Sequence, residues 1–335
     1  MDIKALEEWY QAHQRNLPFR ATSDPYPIWV SEIMAQQTQM ETVIPYFLRY
    51  METYPTIQSL AEANEENLHK LFEGIGYYRR FQYMQKAAQK IVHELGGVFP
   101  STYEGVKSLP GIGDYTAGAI MSIAFNKPYA ATDGNVIRVL SRYYGIDDDM
   151  KDEKARKKID ALNQQLITDG TPQIYTQAMM ELGALVCKPS NPQCESCPLR
   201  DDCYAFINNK TEALPVLSRK TSTRIRSFTT LILIHQDRTA LIKNDEGLLK
   251  GMYLYPQFEN ITIEELTNKM SEEGYQIDAV KYLKKYQHIF THQRWVMEAY
   301  VVQVKEITTD NKYTWTDDVL SLPMAIAHRK IRINS

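Results

Sequence analysis

The chain has 335 residues, 44% apolar and 24% charged, with a formal net charge of −3 at pH 7. This is an ordinary soluble globular composition with room for two or three domains. It contains no run near the roughly 18 uninterrupted apolar residues of a membrane span. The opening "MDIKALEEWYQAHQRNLPFR" lacks the apolar core of a signal peptide, so a cytoplasmic location is expected; a monomer with no membrane partner is expected as well. The weakly negative charge means that any nucleic-acid surface must be local. Arg79 and Arg80, Arg138 and Arg142, and "KDEKARKK" at 151–158 are the candidates, the last reading equally as a solvated helix face.

From residue 1 to about 207 apolar residues recur at three- and four-residue steps, as in "YPIWVSEIMAQQTQMETVIPYFLRYM" and "YMQKAAQKIVHEL". In the first of these Glu32 lies among Trp29, Val30, Ile33, Met34 and Ala35. A carboxyl in such surroundings stays protonated to higher pH, which suits a general acid. The competing reading is a narrow solvent stripe. Further on, "LPGIGDYTAGAI" places Gly111 and Gly113 before a helical run. Glycines there permit a tight turn and close backbone approach, and free N–H groups at the helix start favour an anion such as phosphate. A helix-hairpin-helix that holds a nucleic-acid backbone and a plain helical corner both fit. In "ATDGNVIRVL", Asp133 reads as an N-cap or as a catalytic carboxylate.

The four cysteines all fall in "CKPSNPQCESCPLRDDC", spaced C-x6-C-x2-C-x5-C at Cys187, Cys194, Cys197 and Cys203. Such crowding suits one metal centre, and the spacing leaves zinc and a [4Fe-4S] cubane as alternatives. After them "NNKTEALPVLSRKTSTRIRS" reads as a linker over 208–227. Beyond it "FTTLILIH", "TALIKN" and "WVMEAYVVQV" are rich in strand-forming residues, and "IEELTNKMSEEG" reads as a helix. An all-α domain over 1–207 is therefore expected, with its hairpin near 102–125, followed by a smaller α+β domain over 228–335.

Taken in order, the SEIMAQQTQ helix, GIGYY, LPGIGxYTAGA, the Asp about twenty residues past the hairpin and the cysteine spacing resemble the helix-hairpin-helix DNA glycosylases that include endonuclease III. More closely they resemble the MutY-type adenine glycosylases, which excise adenine opposite 8-oxoguanine. The resemblance implies a [4Fe-4S] cluster on the four cysteines and a partner in duplex DNA carrying A:8-oxoguanine or A:G mispairs. It implies that Glu32 protonates adenine and that Asp133 steadies the sugar cation. Tyr115 and Asn135 would lie beside the sugar, Arg20 at the adenine pocket, and Gln37 and Tyr77 in the duplex near the lesion. Tyr115 stands where the strand-cleaving branch carries a Schiff-base lysine, so little lyase activity is expected. The C-terminal region resembles a Nudix-like domain without its magnesium-binding acidic cluster. In it Phe290, Thr291 and His292 match a Phe-Ser-His that reads 8-oxoguanine. Thr291 and Ala35 depart from the family pattern. A related mismatch or oxidised-pyrimidine glycosylase, and a lesion binder without catalysis, are the rival readings.

Overall fold

The computed structural model describes residues 1–76, 79–218, 224–290, 293–307 and 312–331. Helices come first along the chain: α1 (Ile3–His13), α2 (Pro25–Ala35), α3 (Met40–Thr53), α4 (Ile57–Ala61), α5 (Glu65–Leu71) and α6 (Arg79–Glu94). There follow α7 (Tyr103–Lys107), α8 (Asp114–Ile123), α9 (Gly134–Tyr144), α10 (Glu153–Leu166), α11 (Pro172–Leu185) and α12 (Tyr204–Ile207). Caps set many of their starts. Asp2, Asp24, Asn64, Thr102, Asp133 and Asp152 each accept a hydrogen bond from an N–H of the first turn. Helix α2 buries Tyr26, Ile28, Trp29, Val30, Ser31, Ile33 and Met34, so it is enclosed on nearly every face. Helix α8 is buried from Thr116 to Ile123 and packs against it. Leu6 and Tyr10 of α1, Val139 and Leu140 of α9, and Tyr175, Met179 and Leu182 of α11 form a second apolar centre.

The strands follow: β1 (Arg224–His235), β2 (Arg238–Lys243), β3 (Tyr253–Leu254), β4 (Gln257–Glu259), then helix α13 (Ile263–Glu272), β5 (Tyr275–Ile289), β6 (Gln293–Ile307), β7 (Thr314–Thr316) and helix α14 (Ile326–Arg329). They form one sheet in the order β3-β2-β1-β6-β5, with β4 beside β1 and β7 beside β2. Strands β1 and β6 run parallel from Arg224↔Gln293 to Ile234↔Gln303, and β5 lies antiparallel on β6. Ile232, Leu233, Met297, Ala299 and Val302 are fully buried on the two faces of the central pair.

The chain gathers into two compact units: Met1–Glu62 with Tyr83–Arg219, and Ala63–Gln82 with Lys220–Ser335. The expected helical and α+β parts are both present. The segment 63–82, read from sequence with the helical part, groups with the strands. Strand β1 begins at Arg224, inside the span read as linker, and Leu214 is buried and closes on Arg142 through its carbonyl. Strand β5 carries no apolar alternation because most of it is exposed at the sheet edge, and sequence reading passed over it. The long pattern through Glu32 is two helices, separated at Gln37, whose φ is +56°.

Candidate active site

Because α2 is core on its other faces, the one carboxyl it carries must emerge into whatever space the helical unit leaves open. That space is a cavity of about 980 Å³, lined among others by Arg20, Glu32, Tyr115, Asp133, Asn135 and Glu181. Tyr115, in the first turn of α8, donates its hydroxyl to Glu32 Oε2 at 2.7 Å. Burial is the main influence on Glu32 and pushes its carboxyl up to about 7; the Tyr115 bond and the Arg20 charge oppose it, and the Asp133 charge adds to it. The Tyr115 phenol is itself held well above its ordinary value by burial and the neighbouring Glu32.

Asp133 serves as an N-cap and also faces the cavity. Its Oδ1 accepts from Val136 N–H at 2.8 Å and its Oδ2 from Asn135 Nδ2 at 2.7 Å. Burial raises its pKa, while these N–H donors favour the ionised form. Asn135 is fixed in turn by Arg138, whose Nη2 donates to Asn135 Oδ1 at 2.7 Å and to the Gly183 carbonyl at 2.8 Å. At Gly183 a β-carbon would lie 2.4 Å from Asn135 Cβ, so a bare backbone lets α9 and α11 meet here.

Arg20 reaches the cavity wall by way of Glu181, a residue the sequence reading missed. Glu181 is fully buried. It accepts from Arg20 Nη1 at 3.0 Å and Nη2 at 2.7 Å, and from Arg15 Nε at 2.9 Å and Nη2 at 2.7 Å. Burial alone would raise this carboxyl, but the two guanidinium groups outweigh it and hold it at about 2. The signal was a lone acid in "QAMMELGALV", the same pattern that marked Glu32.

Gln37, exposed and in the left-handed region, lines the cavity mouth with Ala35. A strained non-glycine residue of this kind costs about 1–3 kcal/mol and clusters at functional sites. Gly111 has φ +79°, and a β-carbon there would stand 2.5 Å from Tyr83 Cβ. Gly113 is an extended N-cap of α8 without a side-chain cap bond, and Asp114 in that first turn is bonded by Tyr103 at 2.8 Å and paired with Lys107. Phe290 is half-buried against Trp295 and His288, at ring separations of 4.8 and 4.5 Å. Tyr77, Thr291 and His292 lie outside the described residues.

Three of the expected surface cations belong to the interior. Arg138 and Arg142 are buried, and Arg142 donates to the carbonyls of Leu214, Lys188 and Pro189 at 2.7–2.9 Å. Their guanidinium groups are engaged by peptide oxygens and, for Arg138, by Asn135 Oδ1. Arg80 is buried as well. Arg200 is bonded to Glu195 and Asp201, both at 2.9 Å.

Cys187, Cys194, Cys197 and Cys203 line one small cavity of about 30 Å³ together with Arg142, and Arg142 Nη1 lies 3.4 Å from Cys187 Sγ. No trio of His, Cys, Asp or Glu among the described residues is gathered tightly enough for a single metal ion. Four thiols spread around a common void fit a multinuclear cluster, whose irons keep the ligating sulfurs apart, better than one tetrahedral zinc.

Residues 30–165 match the HhH-GPD superfamily of base excision DNA repair proteins, and residues 187–203 match the iron-sulfur binding domain of endonuclease III. The chain is 35% identical over 286 residues to the adenine DNA glycosylase of Buchnera aphidicola from Acyrthosiphon pisum, covering 85% of this chain and 81% of that one. It is 43% identical over 219 residues to the human adenine DNA glycosylase, covering 63% of this chain and 40% of that one. Among solved structures, a thermostable thymine-DNA glycosylase superposes with a TM-score of 0.55 at 25% identity, covering 62% of this chain and 95% of the other. Endonuclease III trapped on DNA superposes at 0.52 and 24%, with 62% and 94% covered, which shows the shared fold. The cofactor is a [4Fe-4S] cluster.

Proposed function

The chain belongs to the MutY-type adenine DNA glycosylases of the HhH-GPD superfamily, and from that membership we propose that it hydrolyses the N-glycosidic bond of adenine paired with 8-oxoguanine or guanine in duplex DNA. The observation that carries the reading is a carboxylic acid poised near neutrality beside a hydrogen-bonded carboxylate in one cavity, Glu32 with Asp133. The target nucleotide leaves the stack at a cost of a few kcal/mol and enters that cavity. Glu32 donates its proton to adenine N7, the C1′–N9 bond breaks with its electron pair going to the base, and neutral adenine leaves. Asp133, kept ionised by Val136 N–H and Asn135, steadies the positive charge on the deoxyribose, much as paired carboxyls serve an oxocarbenium-like centre in glycoside hydrolysis. Water then adds to C1′ and releases a proton, leaving an abasic site.

Arg20, held in place by Glu181, lines the wall against the base, and Gln37 and Tyr77 fill or wedge the duplex. Phe290, Thr291 and His292, in a Nudix-like C-terminal region, read the opposing 8-oxoguanine, with Gly111 and Gly113 at the DNA backbone. Cys187, Cys194, Cys197 and Cys203 would hold the cluster, which supplies cross-linking of the 187–203 loop. The phenol at position 115 cannot form an imine to the sugar, so little or no strand cleavage follows base removal. The test is a labelled A:8-oxoguanine duplex, analysed with and without hot alkali. Strand breaks appear only after alkali with the unaltered protein, and Glu32→Gln abolishes them. Normal single-turnover adenine release by Glu32→Gln would sink the proposal. A panel of mispairs separates adenine from thymine or oxidised pyrimidines as the substrate.

A further inference from the structure

The segment that leads into Tyr77 is built into the same compact unit as the strands that lead into residues 291–292. Its chain turns at Gly74, Ile75 and Gly76, with φ +105° at Gly74 and +79° at Gly76, and resumes as α6 at Arg79. The base of this turn is closed by Phe72 and Phe81, both buried, whose rings stack. Immediately before the turn Glu73 is buried, with Lys70 Nζ at 3.1 Å and Arg329 Nη1 of α14 at 3.2 Å. One turn earlier His69, also buried, has its Nδ1 3.1 Å from the Gly251 carbonyl. Glu66 Oε1 pairs with Lys243 of β2 at 3.0 Å, and Lys70 Nζ also donates to the Leu320 carbonyl.

Gly251 shows how tight this docking is. Its φ is +85°, and a β-carbon there would lie 2.1 Å from His69 Cε1. The glycine-rich "GLLKG" stretch, which holds no acidic metal site, thus makes the bed on which α5 rests.

We propose that Glu73, Arg329, His69 and Gly251 are positioning residues that tie the duplex wedge at Tyr77 to the lesion-reading strands, so that reading 8-oxoguanine and opening the stack are one event. This deepens the function proposed above and rests on it. A carboxylate buried beside two cations loses its fixed geometry when one is removed. A β-carbon at Gly251 would collide with the buried His69 ring, which must then leave its place against the Gly251 carbonyl. The coupling predicts loss of the lesion-dependent part of the rate while the lesion-independent part survives.

The experiment compares the full-length protein with Arg329→Gln and, as an independent break, Gly251→Ala. Single-turnover adenine release is measured opposite 8-oxoguanine and opposite guanine, and 2-aminopurine beside the target reports unstacking. Each variant is expected to lose about tenfold of the 8-oxoguanine advantage, within the range of ordinary site-to-site coupling, while release opposite guanine falls by less than about twofold. The 2-aminopurine signal falls with the advantage. Equal falls on both duplexes, or an unchanged advantage in both variants, overturn this inference alone. A wild-type protein without any preference for 8-oxoguanine overturns the lesion reading and the coupling with it.

Discussion

Replacing Tyr115 by phenylalanine removes the hydroxyl that donates to Glu32 Oε2 at 2.7 Å and leaves the ring packed against Ile28, Ala119 and Ile123. That hydrogen bond favours the carboxylate, and it works against the burial that holds Glu32 up at about 7. Hydrogen bonds to charged groups contribute about 1.5–3 kcal/mol, and one pH unit corresponds to about 1.4 kcal/mol. Without the hydroxyl the acid form of Glu32 therefore persists about 1–2 pH units higher. A general acid works only while protonated, so the alkaline limb of the rate profile moves upward by the same amount. The assay is single-turnover adenine release from about pH 5.5 to about pH 9.5, at enzyme concentrations above duplex. The plateau rate is free to change, since the phenol also faces the sugar, but the position of the limb is diagnostic. A limb that stays in place, or moves to lower pH, refutes the assignment of Glu32 as the acid whose proton Tyr115 controls.

Tyr115→Lys puts an amine at the cavity wall and should yield a borohydride-trappable adduct with DNA, absent from the unaltered protein. Arg142→Ala leaves the buried carbonyls of Leu214, Lys188 and Pro189 without their donor, and should cost about 1–3 kcal/mol of stability for each one that water cannot reach. Iron content and visible absorbance per mole of protein should fall with it, and full cluster occupancy would refute the bracing role. His328 accepts the Tyr255 backbone N–H on Nδ1, so its proton sits on Nε2 facing Gln257 Oε1, and burial lowers its pKa to about 3. Its neutral form stabilises the fold fully above the ordinary value of 6.5, and that stability drains away as pH falls toward 3. Urea unfolding between pH 7 and pH 5 should show a loss of about 2 kcal/mol from this group, a slope that His328→Gln flattens.

The primary sequence by itself determined the order of a helical part and a strand-rich part, and it marked candidate groups for the chemistry. Periodicity placed the helices, the cysteine spacing marked a metal loop, and Glu32 in an apolar helix read as either a perturbed acid or a solvent stripe, because each of these is a local property of consecutive residues. Asp133 was legible as a cap and as a catalytic group, and the folded chain uses it for the first while aiming it into the cavity. What local sequence could not decide was which groups meet. Glu181 is more than 150 positions from Arg15 and Arg20 in the chain, and only the crossing of α1 and α11 brings them together. Arg138 and Arg142 looked like phosphate ligands, since nothing in a sequence distinguishes a surface cation from one that helix packing surrounds with carbonyls. The placement of 63–82 with the C-terminal strands is likewise a matter of long-range docking, made possible by one glycine whose missing β-carbon admits a histidine from 182 residues away. Composition and period set what each segment can be, whereas burial, which moves the Glu32 proton toward neutrality, belongs to the assembled tertiary structure alone.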